Sequence, residues 1–268
     1  MIVFLSAMPQ EIARIRGLGT DALALATGMG RWATEVGVAK ALAAHPHCAL
    51  VSLGFSGGTQ PGLRPGELVL CRRVHWHGEK EEPRSVVCHP ALLEVARRAI
   101  EATSFPWREG EGLTQNCVAT SPKEKEALGR GLGVQVVDME SFWVGWAAQE
   151  KGLPFLSVRA VLDPQEEFVP DLNPFINADG RLLAGKAIRY FVLRPQHWHG
   201  FLCLGLRSRR ASRALGAWAI AFTRELIRSS AYQEESHFTG VDWAGGAAPP
   251  LGGRVGRENV FKAGQGDI

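Results

Sequence analysis

Long apolar runs are missing from this 268-residue chain, and none approaches the roughly 20 residues that a membrane-spanning helix needs. A charge excess of one sign is missing too. The net charge of +3 is too small to argue for a nucleic-acid partner. Cysteine pairing is absent from the pattern: Cys48, Cys71, Cys88, Cys117 and Cys203 are odd in number, scattered, and include no Cys-x-x-Cys. Reduced thiols in a cytoplasmic protein are the expectation. No basic segment precedes the apolar start Met1-Ile2-Val3-Phe4-Leu5, which reads as a first buried strand and not as a signal peptide. Internal repeats are absent. What is there, 46% hydrophobic and 21% charged residues, is ordinary for a globular domain and excludes a fully disordered chain.

Short apolar runs alternate with helical periodicity. Strands are expected over 2–5, 48–53, 67–74, 134–137 and 155–162, with 114–119 extended. Helices are expected over 31–44, 90–102, 122–128 and 138–151. The alternation predicts an α/β protein, a three-layer sandwich around a mixed, largely parallel sheet. After Asp163 the prolines Pro164, Pro170 and Pro174 mark a long loop, and helical patterns resume near 181–191 and 211–229. Residues 1–232 read as one domain, and 233–268, rich in Gly and Pro without periodicity, as a flexible tail.

Four stretches carry chemistry. Thr27-Gly28-Met29-Gly30-Arg31 is a Gly-x-Gly turn before a helix, where backbone amides attract anions. It lacks the third glycine and the acidic residue of a dinucleotide fingerprint, so it does not predict NAD. Ser52-Leu53-Gly54-Phe55-Ser56-Gly57-Gly58 ends a buried strand in what reads as a glycine-rich turn, a place where α/β proteins bind ligands. Val137-Asp138-Met139-Glu140-Ser141 crosses a strand-to-helix junction. Asp138 suits helix capping there, whereas Glu140 is placed to accept hydrogen bonds from a diol and Met139 to offer an apolar surface. The strand Val158-Arg159-Ala160-Val161-Leu162 ends in Asp163-Pro164, which taken alone is a turn signal.

Other features are read plainly. His75-Trp76-His77 and His197-Trp198-His199 have strand spacing but no evident third ligand, so no metal is expected. The segment from Phe201 to Arg210 reads as a buried stretch followed by a solvated, helix-starting loop, with weak contact to an anionic lipid surface as the alternative. Phe142, Trp143 and Trp146 read as core or as an oligomer contact.

Taken together, Ala7-Met8-x-x-Glu11, Thr27-Gly28-Met29-Gly30, Gly54-x-x-Gly57-Gly58, Asp138-Met139-Glu140-Ser141 and Arg159-Ala160-Val161-x-Asp163 occur in this order and resemble the purine nucleoside phosphorylase and nucleosidase superfamily. The motifs cover about 1–165 and the general layout extends to about 230. The second half looks most like the hopanoid-associated branch, thought to act on adenosylhopane, through Arg159 to Pro170 and Asn177-Ala178-Asp179-Gly180-Arg181.

The resemblance implies a nucleoside phosphorylase-like fold, a homo-oligomer, a small-molecule nucleoside substrate and no organic cofactor. It implies that Asp163 donates a proton toward purine N7, Glu140 grips the ribose hydroxyls, Met139 packs on the ribose and Glu11 orients the attacking water. Gly57, Gly58 and Phe55 fall at the substrate, and Gly28, Gly30 and Arg31 at an anion or nucleophile subsite. Such roles fit glycosidic cleavage, which builds positive charge on the sugar and negative charge on the leaving base. Three positions depart from the pattern: Leu162 replaces a common Ser before the acid, Phe55 stands where a small polar residue is usual, and Pro9-Gln10 replaces an acidic pair. A phosphorylase needs arginines for phosphate as co-substrate, and Met1 to Gln10 contains none, so hydrolysis is favoured over phosphorolysis. A nucleoside-binding protein without turnover is the reading from another class. Retention of Glu11, Glu140 and Asp163 together argues against it.

Overall fold

The structure is a computed structural model and describes residues 1–15, 18–78, 82–169, 173–175, 177, 183, 185–186, 190 and 198–235. In chain order these form β1 (Ile2–Ser6), α1 (Pro9–Ile12), β2 (Ala22–Ala26), α2 (Gly30–Ala44), β3 (Ala49–Gly58), β4 (Leu68–Trp76), β5 (Arg84–Val87), α3 (Pro90–Glu101), β6 (Trp107–Thr114), α4 (Pro122–Leu132), β7 (Val136–Asp138), α5 (Ser141–Glu150), β8 (Phe155–Asp163) and α6 (Trp198–Glu235), with a 3-10 turn at Asn173–Phe175.

All five residues of β1 are buried, because helices cover both faces of the sheet. Register sorts the faces. Phe4 is in line with Val51 of β3, and Val51 with Leu156 of β8. This row faces α6, where Phe4 meets Trp218 and Phe222 edge-on at ring-centroid distances of 6.3 Å. The next row, Ser52 with Ser157, faces α5, where the Ser141 hydroxyl lies 2.9 Å from that of Ser157. Alternation along the strands thus separates an apolar face from a polar one. The core side of α6 follows helical spacing: Ala211, Ala214, Leu215, Trp218, Ala219 and Phe222 are all fully buried.

The sheet is mixed and has eight strands. The strands β2, β1 and β3 are neighbours through parallel pairs. Next, β3 pairs with β8 in parallel, β8 with β4 antiparallel, β4 with β6 in parallel, and β6 with β7 in parallel. Finally β7 returns to β3 antiparallel at Gly57 and Gly58. Five strands therefore close on themselves, and the ring they form has no free edge. The α/β sandwich with a mixed sheet is as expected, and the closure adds a barrel to it.

Several local expectations need correcting. The stretch 54–58 is not a turn but the second half of β3, with a register shift against β8 at Ser56/Gly57. Its glycines Gly54 and Gly57 give side chains room, since a Cβ at the first would meet Arg159 and Glu11 and one at the second Asp163. The strand expected near 114–119 lies earlier, at Trp107–Thr114. Its polar, Gly-rich sequence hides it, yet a Cβ at Gly110 would collide with the Gln135 side chain and one at Gly112 would stand 3.3 Å from the Cys71 sulfur. The helix after Glu140 begins at Ser141. The strands β2 and β5 and the short α1 carry no strong period and were not expected. The segment from Phe201 to Arg210 holds no loop but lies in the opening turns of α6, with Leu206 65% exposed. Residues 233–235 of the expected tail belong to α6. The rest of that tail, His197, Pro170, Leu172, Gly180 and most of 181–191 lie outside the described residues. Among the described residues, no helix is long and apolar enough to cross a membrane.

Candidate active site

The site gathers where β3 and β8 end, where β7 passes into α5, and where β1 passes into α1. Glu11 occupies the single turn of α1. It is buried, and its side chain folds back so that Oε2 accepts the Met8 N–H at 2.7 Å. Its Oε1 accepts the Phe55 N–H of β3, also at 2.7 Å. Burial raises the Glu11 carboxyl above its ordinary range, opposed by these two amides and by Arg159.

Asp138 closes β7 and organises the junction. Its Oδ1 accepts the N–H groups of Glu140 (2.9 Å) and Ser141 (3.0 Å) and the Thr114 hydroxyl (2.7 Å). This is the capping role expected of it. Its Oδ2 lies 2.9 Å from Nε of Arg159, whose side chain is 1% exposed. Arg159 also donates to the hydroxyls of Ser141 (2.7 Å) and Ser52 (2.5 Å), while its Nη1 is buried without a hydrogen-bond partner among the described residues. A Cβ at Gly54 would collide with that Nη1 and stand 2.8 Å from Oε1 of Glu11. Glycine at this position is what lets the two groups approach.

Glu140 is buried, and its Oε1 accepts the Gly30 N–H at 2.8 Å. Burial, then the neighbouring Asp138 charge, pushes its carboxyl up to about 8. Asp163, at the end of β8, is buried too. Burial raises its carboxyl, and an ion pair with Lys125 opposes the rise. Gly57 leaves room beside it, since a Cβ there would stand 3.2 Å from Asp163 Oδ2.

Of the residues singled out in the sequence, Glu11, Phe55, Gly57, Met139, Glu140 and Asp163 line one pocket. It holds roughly 780 Å³ of empty space when its open mouth is counted. Gly58 packs behind it against Leu63. The anion cradle expected of Gly28, Gly30 and Arg31 does not form. The Gly28 N–H donates to the Ala7 carbonyl at 3.0 Å, and the Gly30 N–H is taken by Glu140. Both glycines instead supply positive φ, 107° and 79°, to the turn before α2. Arg31 pairs with Glu35 at 2.9 Å and lies 4.1 Å from the Trp143 ring centroid. In the loop after Asp163, Val169 lines the pocket and Phe168 is 79% exposed. His75 bonds Glu111 at 2.6 Å, and the described residues contain no metal-binding group of three or more His, Cys, Asp or Glu.

Residues 11–181 match the Phosphorylase superfamily. The chain belongs to that superfamily. A 5'-methylthioadenosine/S-adenosylhomocysteine nucleosidase from Chromohalobacter salexigens is 26% identical over 160 residues, 54% of this chain and 68% of the relative. Among solved structures, the enzyme of that name from Neisseria meningitidis, in complex with methylthio-immucillin-A, aligns at TM-score 0.65 and 15% identity. It covers 83% of this chain and 98% of that chain. The futalosine hydrolase of Helicobacter pylori aligns at TM-score 0.65 and 14% identity, over 84% of this chain and 97% of that one. These structural likenesses establish the superfamily fold.

Two residues at this candidate site have no role in a reading by motif. Arg159 was visible in its motif, but a charged residue inside an apolar strand gives no sign of its partners. Lys125 sits in Pro122-Lys123-Glu124-Lys125-Glu126, which reads as a solvated charge run. The available signal is spacing: Lys125 and Gly129, four apart, are the buried residues of α4.

Proposed function

We propose that this chain hydrolyses the N-glycosidic bond of an adenosine-type purine nucleoside. The observation that carries the reading is the convergence of the buried carboxyl groups of Glu11, Glu140 and Asp163 on one pocket, where the capping Asp138 also lies. Burying such groups together costs stability and raises their pKa, a pattern that clusters at functional sites. Asp163 is the proton donor to the leaving base, and burial suits it to hold a proton at higher pH than an exposed aspartate. Glu140 receives the ribose hydroxyls, with Met139 against the sugar. Glu11 has one lone pair on each oxygen engaged by backbone, which leaves the others to orient a water on the opposite side. The unpaired Nη1 of Arg159 beside it is a second anchor for that water. Water is favoured over phosphate because both glycine amides of the turn before α2 are already engaged and Arg31 points elsewhere.

The 5' side is proposed to take an apolar substituent. Met8, Val118, Val169 and Leu204 line the same pocket. The two nucleosidases named above, from Chromohalobacter salexigens and Neisseria meningitidis, are named for 5'-methylthioadenosine and S-adenosylhomocysteine, and the hopanoid-associated resemblance extends the class to adenosylhopane. Each buried methylene adds about 0.8 kcal/mol at most. The test is incubation of the protein with adenosine and 5'-alkylthioadenosines in phosphate-free buffer. Free adenine and free sugar are expected, with the alkylthio substrates preferred about tenfold or more in kcat/KM. Asp163→Asn should reduce turnover by about 100-fold or more. Release that requires phosphate and yields a sugar 1-phosphate makes the chain a phosphorylase, and no release at all leaves a binding protein.

A further inference from the structure

Lys125 has no exposed side-chain area, and it pairs with the Asp163 carboxylate. Its Nζ also donates to the carbonyl oxygens of Pro164 (3.0 Å) and Glu167 (2.9 Å), so the ammonium is held from two sides besides the ion pair. A Cβ at Gly57 would stand 3.2 Å from Asp163 Oδ2 and 3.8 Å from Lys125 Cε, so the bare backbone of β3 makes room for the pair. Packing alone does not ask for a charge here. An apolar side chain of similar length would fill the same space, and buried ion pairs commonly give no more stability than such a replacement.

We propose that Lys125 is the positioning residue of the proton donor: it fixes the Asp163 carboxyl over Gly57 and supplies the positive charge that faces the carboxylate once its proton has gone to the base. The inference rests on the nucleosidase reading above. In that step the bond from the sugar anomeric carbon to the purine breaks, and its electron pair goes to the purine. The Asp163 O–H bond breaks and an N–H bond forms on the base. Water adds to the sugar and gives its proton to Glu11. The negative charge left at Asp163 then lies against the ammonium. A buried carboxyl without that partner would hold its proton too tightly, because burial raises it and Lys125 is the foremost opposing influence. The other charged groups acting on Asp163 are Arg207 of α6, which also opposes the rise, and Glu167, which adds to it. Glu167 is itself held by Arg207 at 2.9 Å.

The experiment compares wild type, Lys125→Met and Lys125→Arg. Each is assayed for base release across pH, and the Asp163 side-chain carboxyl is followed by carbon NMR without substrate, assigned by its loss in Asp163→Asn. In Lys125→Met, kcat should fall by about 10- to 100-fold with KM changed little. The carboxyl should titrate at higher pH by about one unit or more, carrying the alkaline limb of the activity profile with it. Lys125→Arg, which keeps the charge, should leave the titration near its wild-type position and recover part of kcat. Active wild type with an unmoved carboxyl titration in Lys125→Met overturns the inference alone. Wild type that releases no base overturns the function, and the inference with it. Should Lys125→Met not fold, the nitrogen resonance of Lys125 Nζ in wild type must track the Asp163 titration and lose that response in Asp163→Asn. Failure to do so overturns the proposal.

Discussion

Glu140 holds its carboxyl where a proton is better tolerated than a charge. Its pKa rises from 4.5 to about 8, first through burial and then through Asp138. The folded state therefore binds this proton more tightly than the unfolded chain does. The stability it contributes is fully present below about 4.5 and is lost as pH climbs toward 8. Glu11 and Asp163, both raised by burial, act with the same sign. Thermal melts at constant ionic strength should show Tm falling from pH 5 to pH 8, and Glu140→Gln should flatten that fall. Parallel slopes for the two proteins would show that Glu140 is ionised throughout. A ribose that donates hydroxyl hydrogens to Glu140 favours the charged form, so the same group links substrate binding to proton release.

At the scale of the element, β3 carries much of the site through positions without a side chain. Gly54→Ala should lower Tm by several degrees, since overpacking of this kind costs about 1–3 kcal/mol. It should also reduce activity, because the guanidinium it strikes is fixed by Asp138, Ser52 and Ser141 and Glu11 stands on its other side. Gly131→Ala, on the exposed flank of α4 with nothing near its Cβ, should instead raise stability by about 0.4–1 kcal/mol. A calorimetric comparison of the two variants separates close approach from chain entropy. The same contrast explains what the sequence made legible. Buried strands and periodic helices were readable, since β1, β8 and α2 announce themselves by apolar runs or by helical spacing. The role of the glycines was not, because a glycine in a turn and a glycine beneath a guanidinium look alike in one dimension. Glu11, Glu140 and Asp163 stood out through motif order. Lys125 did not, because hydropathy places a lysine among glutamates on the outside, and only the packing of α4 against Thr59 and Asp163 turns it inward.

At the scale of the whole molecule, β8 is the last strand along the described chain, yet it lies between β3 and β4. A chain ending at residue 150 lacks it and leaves facing edges on both neighbours. Such a fragment should show no cooperative thermal transition, whereas a chain ending at residue 235, the end of α6, should melt cooperatively. A sharp transition in the shorter fragment would mean that the other strands hold without closure. The closed ring also has a consequence in time. Leu50 cannot meet Phe155 until the ribosome has added the residues between them, at roughly 5–20 residues per second. For that interval the nascent polypeptide carries two open strand edges, the kind of surface on which aggregation begins. Pairing across so long a stretch also slows spontaneous refolding. The topology that seats the carboxyl groups leaves a newborn copy of this protein with two unmet edges until its last described strand has been made.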